Sequence, residues 1–344
     1  MKIKKIVIII LKICLIILLV VSFNLIMMPK YINENIEGRI IPEMYDEEVS
    51  PDMLIIGSSV AHRGISPITL YQAYGITSYI AATTSQTAWQ SVTALEEFLR
   101  LYNPAMVVLD IGFFNQGDAY SEEPSNRKMF DYMRPSMVKY EGIKECISEI
   151  ESGWSYVFPV LRYHDRYKDL GIDDFKYAFY KPTVTHNGYI MDIKQLAPVE
   201  ERVTMDMANE LSLDARSRGC LMEILDICRN RNIELLLIKT PSYNAKWNYI
   251  FENEINDFAM QEGIRYINFD MYENEIAIDW NTDTPDEGGH LNLYGSEKFS
   301  YYLGGLISEN YTLPDRREDN EFNSIWNNKV DKYDNTKMKL MLGE

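Results

Sequence analysis

Short apolar runs rich in strand-favouring residues recur along this chain, and stretches with helical spacing separate them. Met53-Leu54-Ile55-Ile56 is the first run and Ser78-Tyr79-Ile80-Ala81 a weaker second. Met106 to Ile111, broken only by Asp110, is the third, Leu235 to Ile238 the fourth and Tyr266 to Phe269 the fifth. Between them, Ala88, Val92, Leu95, Phe98 and Leu99 keep a helical period that must stop before Pro104, as Leu221, Ile224, Leu225 and Cys228 do ahead of the fourth run. A further helix ends at Gly263, a suitable C-cap. Phe299, Tyr302, Leu303, Leu306 and Ile307 then form the stripe of a core-facing helix. Strands alternating with helices predict an α/β domain over residues 52–312, with a parallel sheet of about five strands covered on both faces.

The ends and one interior segment depart from this rhythm. Ile6 to Met28 is apolar except for Lys12 and follows Lys2, Lys4 and Lys5. About 20 apolar residues cross a bilayer as a helix, and Lys12 lies near enough to the basic end to reach the headgroups. Residues 1–30 therefore read as an uncleaved membrane anchor. A cleaved signal peptide is the competing reading, against which stand the length of the span and the poor cleavage site at Ser22-Phe23-Asn24. Residues 31–51 read as a linker. It carries Glu34, Glu37, Glu43, Asp46, Glu47 and Glu48, and lysines before the span with acids after it place the rest of the chain outside the cytoplasm. Residues 117–204, rich in Tyr, Arg and Asp, read as an insertion at the sheet's carboxyl edge, either a lid or substrate wall or a structural excursion. Residues 313–344 read as a polar, peripheral tail. The net charge of -17 excludes a nucleic-acid partner. Cys146, Cys220 and Cys228, an odd number outside the span, read as buried thiols.

Two motifs carry chemistry. Gly57-Ser58-Ser59 ends the first buried run in a tight turn that faces a serine into the crevice beyond the strand. If a short helix follows, the Ser59 amide lies at its N-terminus, placed to donate to a developing oxyanion. Asp286-Glu287-Gly288-Gly289-His290-Leu291-Asn292 sets a histidine in a loop before the last core helix, with carboxylates three and four residues earlier. Such a histidine suits a general base held by an acid, able to take a serine proton and return it to a leaving group.

Together these two blocks resemble the SGNH/GDSL hydrolase superfamily. More narrowly they are similar to its membrane-anchored cell-envelope members, of the D-alanyl-lipoteichoic acid transfer protein and polysaccharide O-acetyltransferase type. The resemblance implies a three-layer α/β/α, flavodoxin-like fold. It makes Ser59 the nucleophile and His290 the base. The family's acid stands three residues before the histidine, where this chain has Glu287. Asp286, one residue earlier, has the family's usual residue type, so either could orient His290, and Asp283 is a further candidate. For the oxyanion, the resemblance points to Ser85 of Ala82-Thr83-Thr84-Ser85 through its backbone N–H, and to the side chain of Asn115 in Gly112-Phe113-Phe114-Asn115.

The expected function is that of an anchored, extracytoplasmic serine acyl enzyme at the cell membrane. Through an acyl-serine it would hydrolyse or transfer O-acyl esters on an envelope glycopolymer, with a membrane acyl donor protein as one conceivable partner. The alternative, from a different class, is a non-catalytic envelope scaffold that keeps the fold. Neither motif asks for a cofactor, and no His, Asp and Glu cluster has metal-ligand spacing. His62 and Arg63 read as pocket-lining or turn residues, and His164 and His186 as surface or structural ones. The tyrosines suit carbohydrate stacking, a membrane interface or plain packing.

Overall fold

The computed structural model describes residues 2–114, 121–205, 212–243 and 247–343. It opens with helix α1 (Lys2–Met27), followed by α2 (Ile40–Met44), β1 (Met53–Gly57), α3 (Ser59–Gly64), α4 (Pro67–Tyr74), β2 (Ser78–Ala82), α5 (Ala88–Leu99) and β3 (Met106–Asp110). Five helices come next: α6 (Glu123–Phe130), α7 (Met137–Cys146), α8 (Trp154–Val157), α9 (Val160–Tyr163) and α10 (Ile172–Lys176). The alternation then resumes with α11 (Ala215–Asn230), β4 (Glu234–Lys239), α12 (Tyr249–Glu262), β5 (Arg265–Asn268), α13 (Glu273–Ile276), α14 (Leu293–Asn310) and α15 (Asn320–Leu342).

All five strands are parallel, in the order β2-β1-β3-β4-β5. The five predicted strands and the predicted layer arrangement are all present. Successive strand residues point to opposite faces. Leu54, Ile56, Val107, Leu109, Leu235 and Leu237 therefore pack beneath α5, α11 and α12, while Ile55, Ile80, Val108, Leu236 and Ile238 pack beneath α3, α4 and α14. Because β1 lies between β2 and β3, the chain leaves β1 in one direction and returns on its other side. That reversal opens a crevice at the carboxyl end of β1, the usual ligand position in such sheets.

Two terminal expectations need correction. Residues 31–51 are not a linker but part of the domain. Ile40, Ile41 and Met44 are fully buried in the core, and the Tyr79 hydroxyl donates to the Ile40 carbonyl at 2.6 Å. The Glu43 carboxylate accepts from the Val184 and Thr185 amides at 2.8 and 3.1 Å and from the Thr185 hydroxyl at 2.6 Å. Nor is the segment 313–344 a peripheral tail. Its helix α15 buries Trp326 and Tyr333, and the Trp326 ring lies 5.0 Å from that of Tyr71. Arg316 grips Asp52 with two bonds of 2.8 and 2.7 Å.

The insertion between β3 and β4 extends the core rather than standing apart from it. Met129, Phe130, Ile143, Cys146 and Tyr156 join the cluster under α5. Its last part runs back along the sheet: Asn187 accepts from the Ile80 amide at 2.9 Å, and the Ile190 amide donates to His62 at 2.8 Å. Helix α1 is long and apolar enough to cross a membrane.

Candidate active site

Gly57 closes β1 where backbone and side chains crowd together. A Cβ there would lie 2.8 Å from both the Ala61 and Asp110 Cβ atoms, so only glycine fits. Ser58 follows in an extended conformation, and its carbonyl accepts from the Ala61 and His62 amides, which starts α3 with Ser59 as the first helical residue. The Ser59 amide is therefore one of the unpaired N–H groups that open any helix. His62 anchors the back of this turn: its Nδ1 donates to the Ala82 carbonyl at 3.0 Å, tying α3 to the end of β2. Burial, with help from the Arg63 charge, pushes the His62 pKa down to about 3, so the ring is neutral and structural.

Asp110, at the carboxyl end of β3, braces the other side of the crevice. Its carboxylate accepts from the Gly112 amide at 2.8 Å and the Thr240 amide at 2.9 Å, joining the ends of β3 and β4. Burial raises its pKa above the usual carboxylate value despite these bonds.

The histidine loop is knotted by its own backbone. Gly288, at φ +95°, packs its α-carbon against Tyr243, where a Cβ would come within 2.2 Å of the Tyr243 side chain. The Gly288 amide donates to the Thr284 hydroxyl at 2.8 Å, and its carbonyl accepts from the Tyr243 amide at 2.8 Å. Asn292 caps α14 by accepting from the Tyr294 and Gly295 amides, while its Nδ2 donates to the Thr282 and Lys194 carbonyls at 2.7 and 2.9 Å. The asparagine of the His-Leu-Asn block thus fixes where His290 stands.

This scaffolding brings three side chains into a line. Ser59 Oγ lies 2.8 Å from His290 Nε2, and His290 Nδ1 lies 2.5 Å from Asp286 Oδ2. The other Asp286 oxygen accepts from the His290 amide at 2.9 Å, so the carboxylate holds both ring and backbone. Burial is the largest influence on Asp286 and raises its pKa. The hydrogen bonds from His290 and the charges of His290 and Arg63 outweigh it and hold the carboxyl below its ordinary value. A carboxylate fixed on Nδ1 keeps the proton there, which leaves Nε2 to accept from the serine hydroxyl.

Of the three candidate acids, Asp286 is the one beside the imidazole. Glu287 is exposed at φ +61°, and its amide donates outward to the Leu196 carbonyl at 3.0 Å. Asp283 is buried and pairs with Lys298 at 2.6 Å. Ser85 stands in the turn after β2, whose last residue Ala82 pairs with Gly57, so both lie at the same edge of the sheet. Its φ is +52°, and its carbonyl accepts from the Ser121 hydroxyl at 2.5 Å. Asn115 lies outside the described residues. Among the described residues no group of three or more His, Cys, Asp or Glu side chains could hold a metal ion. Arg63, which bonds Asp192 at 3.3 Å, and Asp110 are site neighbours whose roles the motifs alone did not specify.

No protein-family model matches the chain, and no curated relative does. Solved structures do. A candidate acylhydrolase from Bacteroides fragilis is 11% identical, with 78% of this chain and 94% of that one covered and a TM-score of 0.36. A candidate lipolytic protein of the G-D-S-L family from Desulfitobacterium hafniense is 10% identical, covering 74% and 99%, also at 0.36. A GDSL-like lipase from Bacteroides thetaiotaomicron is 10% identical, covering 75% and 87%, at 0.31.

Proposed function

We propose that this chain is a serine acyl enzyme of the SGNH type, anchored by α1 at the outer face of a cell membrane, that acts on O-acyl esters of an envelope glycopolymer. The observation that carries the reading is the continuous Ser59–His290–Asp286 line. Ser59 Oγ attacks the ester carbonyl as its proton passes to His290 Nε2. Asp286 stabilises the imidazolium that forms and keeps the ring in the reactive tautomer. The Ser59 and Ser85 amides, with Asn115, receive the oxyanion. The tetrahedral intermediate collapses, the leaving alkoxide takes the proton from Nε2, and an acyl-serine remains. Water or a polymer hydroxyl then repeats the sequence in reverse, regenerating Ser59.

The anchor reading is supported by packing at the end of α1. Asn24 and Met27 are built into the domain, through bonds from the Val160 amide at 2.8 Å and from Arg166 at 2.5 Å. A chain cleaved near residue 24 would lose these contacts. Transfer rather than hydrolysis is favoured by the membrane position and by the envelope members that the motifs resemble.

The test uses the full chain in detergent with a fluorophosphonate probe. Wild type labels and Ser59→Ala does not. A folded wild type that fails to label would sink the acyl-enzyme reading, and equal labelling of both proteins would sink the choice of Ser59. Acyl release from a preformed acyl-enzyme, measured in water and with added glycan, then separates hydrolase from transferase: acceleration by the glycan supports transfer.

A further inference from the structure

The end of α1 sits in a cradle that tells where a bilayer surface would lie. Residues 3–21 of α1 are exposed along their whole length, whereas Asn24, Met27, Met28 and Lys30 are buried against the domain. Nineteen helical residues span about 28 Å, close to the roughly 30 Å of a hydrocarbon core. The level at which α1 enters the domain is therefore the headgroup level. Lys30 closes the cradle by donating to the Leu25 and Ile26 carbonyls at 2.9 Å each and pairing with Asp174 at 3.4 Å, and Arg166 pairs with Asp174 at 2.8 Å.

Helices α9 and α10 and the turn between them touch the end of α1, α8 packs on α9, and these elements are apolar on the outside. Trp154, Val157 and Phe158 at α8 and Leu161 on α9 are all exposed, with the Trp154 and Phe158 rings stacked at 6.3 Å. Ile172 and Phe175 on α10 and Phe179 in the turn after it are exposed as well, Ile172 to 84%. So many large exposed apolar side chains on neighbouring short elements mark an interaction surface rather than scattered surface residues. The charge fits as well. Residues 154–181 carry five Lys or Arg against four Asp, in a chain that has 34 basic and 51 acidic residues. This stretch lacks the acidity of the rest of the chain.

We propose that α8, α9 and α10 form a lipid-facing collar around the exit of α1, their aromatic and aliphatic side chains seated at the headgroup–acyl boundary of the leaflet from which α1 emerges. The collar rests on the anchor part of the proposed function and extends it. It makes the domain a rigid platform on the membrane instead of a tethered one. It also sets the distance of the active site: ten residues beyond Met27, Glu37 accepts from the Thr84 hydroxyl at 3.2 Å, beside Ser85, and from Lys128 at 2.6 Å. Ten residues span at most about 35 Å, so the crevice works within that reach of the lipid surface and suits an acyl group carried in or at the membrane.

The experiment reconstitutes the full chain at low protein-to-lipid ratio in vesicles of phosphatidylcholine and phosphatidylglycerol, with or without bromine on the acyl chains just below the headgroup. Helix α1 contains no tryptophan, and Trp89, Trp247 and Trp326 are buried. Brominated lipid is expected to quench at least half of the Trp154 emission, obtained as the difference between wild type and Trp154→Phe. The triple variant Leu161→Ser, Phe175→Ser, Phe179→Ser should reduce that quenching severalfold while fluorophosphonate labelling is unchanged. If the protein floats with carbonate-washed vesicles but Trp154 stays unquenched and open to acrylamide, the lipid collar is wrong and the exposed apolar side chains face another protein or a second copy. Failure to float would overturn the anchor reading and the collar together. Neither outcome bears on Ser59, which the labelling reports separately.

Discussion

At the residue scale the decisive contact is the carboxylate behind His290. Sequence spacing left Asp286, Glu287 and Asp283 open, because a loop of two glycines can present any of them. The positive φ of Glu287 and Gly288 turns the loop so that Asp286, four residues back, meets both the ring and the amide of His290. Asp286→Asn should therefore lower kcat by about 10³–10⁴-fold through the wrong tautomer, whereas Glu287→Gln should stay within about twofold. Steady-state ester turnover of the two variants checks this, and the reverse order would hand the role to Glu287. His62 leads to a different prediction. Its pKa, like that of buried His186, is depressed to about 3 by burial. Between the ordinary histidine value and pH 3 the unfolded chain binds protons that the folded chain refuses, so stability falls as pH drops through that window. From pH 7 to pH 5 the loss is about 2 kcal/mol for each such histidine. His62→Asn keeps a donor for Ala82 and should flatten the pH dependence of the thermal midpoint by roughly half. An unchanged slope would mean that these histidines are not the source.

At the element scale, the strands and the helices of the sheet were legible because their apolar runs are continuous and their helices periodic. The elements that were missed obeyed the same physics under a polar surface. Ile36, Ile40 and Met44 keep a spacing of four, and Phe322, Trp326, Val330 and Tyr333 a helical stripe, but abundant charged and amide side chains masked both. The turn proposed to receive the oxyanion was harder to read, since a backbone donor leaves no mark on residue identity. Trp326 gives the measurable consequence. It is fully buried, with its ring tilted against Tyr71 and Lys329 held over its face at 5.0 Å. Trp326→Ala should cost about 3–5 kcal/mol, seen as a drop in the denaturant midpoint with little change in slope. A loss under 1 kcal/mol would return α15 to the status of an appendage.

For the whole molecule, the question is where the domain begins. The apolar span and the α/β domain look separable in sequence, with an acidic stretch between them. The fold places the boundary inside α1 instead, near residue 22, because Asn24, Met27, Met28 and Lys30 are already buried against the domain. Ile40, Ile41 and Met44 are each at most 1% exposed, and burying such side chains stabilises by about 1.5–3 kcal/mol apiece. Their joint contribution, about 5–9 kcal/mol, is comparable with the whole stability of an ordinary domain. Removing that segment also strands buried and half-buried partners: the Thr185 and Val184 amides lose Glu43, and Lys128 loses Glu37. A chain starting at residue 22 should therefore unfold cooperatively and label at Ser59 like the full protein. A chain starting at residue 50, which keeps every residue of the sheet and the reactive line, should lack a cooperative thermal transition and fail to label. Circular dichroism melts and probe labelling of the two truncations decide the matter. A folded, active chain from residue 50 would show that the membrane-proximal segment is only a tether.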